Sequence, residues 1–447
     1  MSTLIEIKEF DTIAENQDYK NQYTILEKNS FEELIKFIQT FDTDNSESDV
    51  LDFVKIGYKR NSRTITFKNY VGLIQVNDKL KIQVLPKIAS LENKEDKTKE
   101  IFLKMLRSMK DFPCKNFTKA NLNIKQMNLY EIFINMYIQE VLHLVKKGIK
   151  SDYVNCEDNL PVYKGKLLVN EHLKHNYMHK ERFYVSFDEY KENRPENKLV
   201  KSTLLKLQKL TDSCENSKNI RQLLTFFELV EPSSNYDQDF SRVVINRNTK
   251  DYDNLIKWSK VFLKNKSFTS FAGANSSRAL LFPMEKLFES YVAQSLRKLL
   301  PKGWTMSCQE KKHYLFEKLN DDKYRRFSLI PDIVLRFDND KETRTVILDT
   351  KWKRLVDKKE RNYGISQSDM YQMYAYSKKY NTKEIWLLYP VNERMNSETK
   401  INFDSGDGTV VSLFFVDLAK DDSLKFLVDR VKVKSSNLNH TQDLKQF

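Results

Sequence analysis

The sequence predicts a chain that is α+β overall, with an α/β core around a mixed sheet in its C-terminal part. Three observations predict it. Short apolar and β-branched runs joined by turn residues fill the first hundred positions, and apolar residues at helical spacing dominate the middle. Near the C-terminal end, two strand-like runs, Ser328–Leu335 and Thr345–Trp352, are separated by an Asp/Asn-rich stretch and flanked by helical patterns. The division is a β-rich module over 1–115, a mainly helical region over 116–270, an α/β domain over 271–434 and a polar tail over 435–447.

In chain order, Phe31–Ile38 has helical spacing, whereas Thr64–Phe67, Val71–Val76 and Leu80–Leu85 read as strands. Asn77, Asp78 and Lys79 make the last two a hairpin, and Pro86 ends it. Leu129–Val145 is an apolar-rich helix, with Gly148 and Asp152 as its stop. Leu199–Leu210 and Ile220–Leu229 continue as a helical platform, and the small residues of Phe271–Ser277 mark a boundary. Beyond it, Met284–Leu299 and Met370–Tyr380 are helices, the second opened by Ser366 and Asp369 as a capping box. The remaining strands are Trp304–Leu315, Glu384–Leu388 and Val410–Val416.

Composition narrows the function. With 447 residues, 40% of them hydrophobic, the chain has material for two or three cores and is not disordered. A formal charge of +13 favours a polyanionic partner, nucleic acid above all. Cys114, Cys156, Cys214 and Cys308 have no paired spacing, which argues against a disulfide scaffold or zinc site. No stretch approaches the roughly 20 apolar residues of a membrane span, and acids interrupt the N-terminus where a signal peptide needs an apolar core. A cytoplasmic protein is expected. No Gly-x-x-x-x-Gly-Lys-Ser/Thr loop is present, so no nucleotide site of that kind is expected in this chain.

The chemistry-bearing residues gather at the end of the second strand-like run. Val346, Ile347 and Leu348 suit a strand covered on both faces, which tolerates charge only near its end, where Asp349 and Lys351 lie. Alternation puts those two on one face, with Thr350 pointing away, and Asp332 after Pro331 on the neighbouring strand can reach the same place. Two carboxylates and an ammonium in a core are costly as ornament, but together they can hold a hard cation and a phosphate. The alternative is a turn-capping Asp beside a surface ion pair.

Pro331-Asp332 followed by Asp349-Thr350-Lys351 resembles the PD-(D/E)xK nuclease superfamily. The resemblance implies that Asp332, Asp349 and the Thr350 carbonyl ligate Mg2+ or Mn2+ and that Lys351 orients or activates the attacking water. It also makes Glu289, on the preceding helix, a candidate metal-facing acid; the other reading is a solvated partner for Arg297 or Lys286. Gln372 and Tyr376, four apart, resemble the Gln-x-x-x-Tyr element whose groups help hold the DNA backbone, against plain helix packing by Tyr376. Lys353, Arg354 and Lys358, with Lys359 and Arg361, crowd the same edge where phosphates would pass.

A more extensive resemblance covers much of the chain. Tyr70–Val76 with Leu80–Lys87, then Asp152–Glu157, Asn159–Pro161, Lys164–Leu167, Arg182–Val185, Asp188–Tyr190 and Pro195–Leu199, is similar to the McrC family, the nuclease subunit of McrBC-type 5-methylcytosine-specific restriction systems. That resemblance implies a separate hexameric AAA+ GTPase partner of the McrB type, double-stranded DNA carrying modified cytosine as substrate, and partner docking by residues 1–265. Lys164, Lys166 and Arg182 suit phosphates or an acidic protein surface equally. His172, His175 and His179 fall at helical offsets, but no acid or Cys completes a metal set there. Two other functions stay open: a stand-alone repair nuclease of the RecB type, and a non-catalytic adaptor that only activates the motor.

Overall fold

The computed structural model describes residues 3–15, 22–43, 53–59, 62–77, 80–88, 95–109, 112, 127–264, 279–317, 325–339 and 342–442. They divide into two compact units, one gathering Met1–Lys36, Ser48–Phe112 and Leu281–Phe447, the other Phe37–Glu47 and Pro113–Leu280. The mixed α/β class is as expected. The contacts draw the boundary differently from the expected division, because the N-terminal strands share a unit with the C-terminal sheet. The expected boundary at Phe271–Ser277 and the turn at Asp78 and Lys79 lie outside the described residues.

The first unit is built on a six-stranded mixed sheet in the order Trp304–Cys308, Ile333–Asn339, Glu342–Thr350, Glu384–Pro390, Val410–Val416, Ile401–Asp404. The expected antiparallel hairpin is present, with Ile333 opposite Leu348 and Asn339 opposite Glu342. It is longer than the sequence suggests, because residues assigned to the connection find partners in the ladder. Arg336 pairs with Glu310 at 2.6 Å, and the Phe337 ring lies 5.4 Å from Trp304. On its other side Glu342–Thr350 pairs in parallel with Glu384–Pro390, so the sheet changes from antiparallel to parallel at this strand.

Two expected strands are interrupted. Ser328–Leu335 splits into Arg326–Leu329 and Ile333–Asn339, and Trp304–Leu315 splits into Trp304–Cys308 and His313–Phe316. Both chains leave the main sheet at the same level and pair again as a separate two-stranded ribbon. Pro331 has no N–H to extend the ladder. Opposite it Gln309 adopts φ +47, and its N–H donates to the Asp332 carbonyl at 3.0 Å.

One face of the sheet, through Val334, Ile347, Leu387, Tyr389, Leu413 and Phe415, packs against Met373, Tyr376 and Tyr380 of the helix Gln367–Tyr380. The helix Met284–Leu299 has its expected bounds and packs with the C-terminal helix Ser423–Gln442. The helical backbone of that last helix continues to Gln442, within the polar tail expected from Ser435.

A four-stranded sheet in the order Thr3–Lys8, Leu80–Leu85, Tyr70–Gln75, Ala279–Pro283 joins the N-terminal strands to the segment that leads into Met284–Leu299. The N–H of Met284 donates to the Asn69 carbonyl at 2.8 Å, fixing that entry. A second four-stranded sheet combines Thr24–Ile25, Thr12–Ala14, Ser62–Phe67 and Val54–Lys59.

The other unit packs the helices Leu129–Lys147, Pro195–Leu210, Cys214–Thr225 and Tyr252–Lys264, with Trp258 and Phe262 stacked at 5.4 Å. Glu131, 4% exposed, accepts from the Thr211 hydroxyl at 2.6 Å, the Asp212 N–H at 2.7 Å and the Asn216 amide at 2.7 Å. A three-stranded sheet of Asp152–Leu160, Phe183–Lys191 and Lys166–Leu167 adds a β element to the mainly helical region. His172 and His175 lie on the short helix Val169–His175, but His179 falls beyond its end and pairs with Glu181 at 3.1 Å. Among the described residues no helix is long and apolar enough to cross a membrane.

Candidate active site

Asp349 sits at the C-terminal end of Glu342–Thr350 and is 1% exposed. Its Oδ2 is ion-paired with Nζ of Lys351 at 2.8 Å. Burial is the main cause that pushes the Asp349 carboxyl up to about 7, and the neighbouring Asp332 charge adds to it. Asp332 is likewise raised by burial, although its Oδ2 accepts from the Thr350 N–H at 2.7 Å and from the Thr350 hydroxyl at 2.6 Å. Thr350 therefore does point away from Asp349, and its side chain is what clamps Asp332 in place.

Burial alone would lower the Lys351 pKa, but the carboxylates of Asp349, Asp332 and Asp369 together outweigh it and the net shift is upward. Lys351 is an ammonium at neutral pH. It donates to Oε1 of Gln372 at 3.3 Å, Gln372 donates to the Tyr376 hydroxyl at 2.8 Å, and Tyr376 donates to the Ile330 carbonyl at 3.0 Å. This relay runs from the lysine back to the residue before Pro331-Asp332. The expectation that Tyr376 holds the DNA backbone is corrected here: its side chain is 1% exposed, and its hydroxyl is directed at Ile330. A tyrosine on the buried stripe of a helix has no free reach to a phosphate.

Glu289 on Met284–Leu299 accepts from Nε2 of Gln309 at 2.9 and 3.2 Å. Its carboxyl is raised to about 7 by burial first and the Asp332 charge second, so it shares the electrostatic field of the pair. Lys353 is ion-paired with Asp369 at 3.0 Å, whereas Lys358 lies exposed with Arg354 along the segment after Trp352. Among the described residues, no three or more His, Cys, Asp or Glu side chains converge as a metal-ligand group. The arrangement offers two carboxylates and an ammonium instead.

Sequence reasoning missed Gln309, Asp369 as a site charge, and Tyr389. Gln309 ends a strand and carried no pattern, while Asp369 was absorbed by its capping role. Tyr389 was visible in principle. Asp349 is registered with Leu387, so Tyr389 two residues on shares the face of Asp349 and Lys351. Among the described residues its buried hydroxyl has no donor or acceptor partner, and burial together with Asp369 and Asp349 raises its pKa.

With this geometry in hand, comparison with known proteins is informative. The family model described as a McrBC 5-methylcytosine restriction system component matches residues 65–390. No curated protein sequence matches. A chain in the refined half-complex of a tetradecameric assembly of Thermococcus gammatolerans McrB AAA+ hexamers with bound McrC is similar in fold, with TM-score 0.69 and 20% identity over 96% of this chain and 100% of that one. A chain of the Thermococcus gammatolerans McrBC complex matches with TM-score 0.49 and 22% identity over 67% of this chain and 89% of that one.

Proposed function

Because the chain belongs to the family of McrBC 5-methylcytosine restriction system components, we propose that it is the McrC-type nuclease subunit of such a system, hydrolysing phosphodiester bonds in DNA that carries modified cytosine. The observation that carries the reading is the Asp349 carboxylate, fully buried, crowded by Asp332 and, among the described residues, paired with Lys351 alone. A structural carboxylate would be surrounded by donors. This one has a single lysine set against two acids, and a divalent cation is what such a pair of acids fits.

Asp332, Asp349 and the Thr350 carbonyl would hold Mg2+, with Glu289 at the margin of the same field. When bound, the cation would make water a better nucleophile and offset charge on the phosphoryl group. The chain's own residues do the rest. Thr350 fixes Asp332, and Lys351, as an ammonium, donates to the attacking water or to a phosphate oxygen rather than taking a proton. Gln372 and Tyr376 hold Lys351 in register with the Pro331-Asp332 segment. In the reaction, the water oxygen bonds to phosphorus and gives up a proton to solvent as one ester P–O bond opens, and the departing oxygen takes a proton from solvent, leaving a phosphate monoester and a hydroxyl. Lys358 and Arg354 supply cationic character beside the site.

The partner in this reading is a hexameric AAA+ GTPase of the McrB type, by analogy with the assembly of McrB hexamers with bound McrC to which this fold is similar. A surface suited to it lies on the three-stranded sheet of the second unit and its adjoining loops, where Tyr153, Tyr163, Tyr177, Met178 and Tyr190 are all more than half exposed. The test is cleavage of methylated plasmid with Mg2+ by this chain alone and with its GTPase partner and GTP, comparing wild type with Lys351→Ala. GTP-dependent cutting lost in the variant is expected. Cutting by the chain alone, indifferent to GTP, would indicate a stand-alone repair nuclease; GTPase stimulation without cutting would indicate an adaptor.

A further inference from the structure

Glu9 is the most thoroughly buried acid of the N-terminal strands, 0% exposed, and no step above uses it. It follows directly on Thr3–Lys8, and its backbone N–H continues that pairing to the Leu85 carbonyl at 2.9 Å. Its carboxylate accepts from Nε1 of Trp352 at 3.1 and 3.2 Å, one distance to each oxygen, and from the backbone N–H of Lys87 at 3.2 Å. Trp352 is the residue after Lys351. It is 5% exposed, and its ring packs on Phe288, the neighbour of Glu289, with centroids 5.5 Å apart.

These contacts converge on one consequence. Past Thr350 the strand has ended, and the backbone carrying Lys351 is held to the sheet by its own N–H to the Leu388 carbonyl at 2.9 Å. An indole fixed at both its N–H and its ring face holds the next position. The acid that fixes the N–H belongs to a strand 343 positions away, in the region the sequence assigned to partner docking. Both donors to Glu9, the Trp352 indole N–H and the Lys87 backbone N–H, ask for an acceptor, and burial pushes the Glu9 carboxyl up to about 8.

We propose that Glu9 is a positioning residue for the hydrolytic site: through Trp352 it sets the placement of Lys351 and of the Glu289 helix, so the N-terminal sheet is part of the nuclease machinery as well as of any docking surface. This rests on the nuclease reading above. Removing outer-shell partners of this kind costs roughly ten- to a hundredfold in activity.

The test uses the full chain labelled with 15N-tryptophan, with the Trp352 indole resonance assigned by its loss in Trp352→Phe, and the same proteins assembled with the GTPase partner for cleavage and GTP hydrolysis. Glu9→Ala is expected to move the Trp352 Nε1–H resonance upfield and to lower cleavage about tenfold or more, with stimulated GTP hydrolysis unchanged. Glu9→Gln keeps one acceptor, so it should recover part of both signals. Trp352→Phe keeps the ring packing without the N–H and should match Glu9→Gln in cleavage, which covers a failure of Glu9→Ala to fold. Cleavage at the wild-type level in Glu9→Gln and Trp352→Phe, or an unmoved indole resonance in the Glu9 variants, would overturn the proposal. Absence of cutting by the wild type would instead remove the nuclease reading on which it rests.

Discussion

Glu131 and Asp349 are both almost wholly buried, 4% and 1% exposed, and their surroundings are opposite. Glu131 in the second unit receives a hydroxyl, a backbone N–H and a side-chain amide, and Asn216 also donates to its carbonyl at 3.1 Å. Asp349 in the first unit has one lysine at ion-pair distance and a second acid nearby. A buried charge is tolerated when its hydrogen-bonding capacity is filled, and Glu131 is the pin that joins three segments on those terms. At Asp349 a single lysine stands against two acids at a strand end. The difference separates an acid that builds the fold from one that the fold holds ready for something else.

Substitutions can break or sharpen that contrast. The largest effect expected is on Asp349→Asn, which should lower Mg2+-dependent cleavage by about a thousandfold. The same change should leave the melting temperature equal or higher, because it removes a buried carboxylate that burial and the neighbouring Asp332 charge both disfavour. Glu131→Ala should do the reverse, destabilising the chain by roughly 3 kcal/mol in denaturant unfolding by stranding three donors. Cleavage per folded molecule should then be retained. Loss of cleavage in Glu131→Ala beyond its folded fraction would blur the distinction.

The pH dependence sharpens it further. Asp349 and Glu289 titrate near 7 in the folded chain, above the ordinary carboxylate range. Proton binding by the folded state therefore stabilises fully below the unfolded values near 4, and that contribution is lost as pH climbs through 7. Thermal unfolding without divalent cation should show wild type falling behind Asp349→Asn between pH 4 and 7. Mg2+ at pH 7 should raise the wild type and leave the variant unmoved. Glu310, held down at about 2 mainly by the Arg336 hydrogen bond, works in the opposite sense and loses its contribution only as pH falls toward that value.

Smaller effects follow from the relay and the rim. Tyr376→Phe removes one hydrogen bond to the Ile330 carbonyl, about 1 kcal/mol, and should slow single-turnover cleavage several-fold without altering DNA affinity. Lys353→Ala breaks an ion pair in which the lysine is 43% exposed, so its effect on stability should stay below about 1 kcal/mol. Its removal should be seen instead as a shallower salt dependence of DNA binding.

Much of the fold could be read from local pattern. The helix Met284–Leu299, the strands Leu80–Leu85 and Val410–Val416, and the antiparallel hairpin carrying Asp349 all announce themselves by periodicity or turn chemistry. What escaped is tertiary. The split of two strands at Gln309 and Pro331 depends on both leaving the sheet together, and only the proline was visible beforehand. The sharing of one unit by the N-terminal strands and the C-terminal sheet depends on contacts such as Glu9 with Trp352, which no window of sequence contains. Within the site, strand alternation correctly paired Asp349 with Lys351, whereas the inward relay of Tyr376 required knowing which face of its helix meets Ile330.

The measurement that bears most directly on the contrast is a paired one on wild type and Asp349→Asn, each assembled with its AAA+ GTPase: melting temperature without divalent cation, and cleavage of methylated DNA with Mg2+ and GTP. A variant at least as stable as the wild type that does not cut is the predicted result. A variant that cuts like the wild type, or one that unfolds as a loss of Glu131 would, would mean that Asp349 is a structural acid and that the hydrolytic site lies elsewhere.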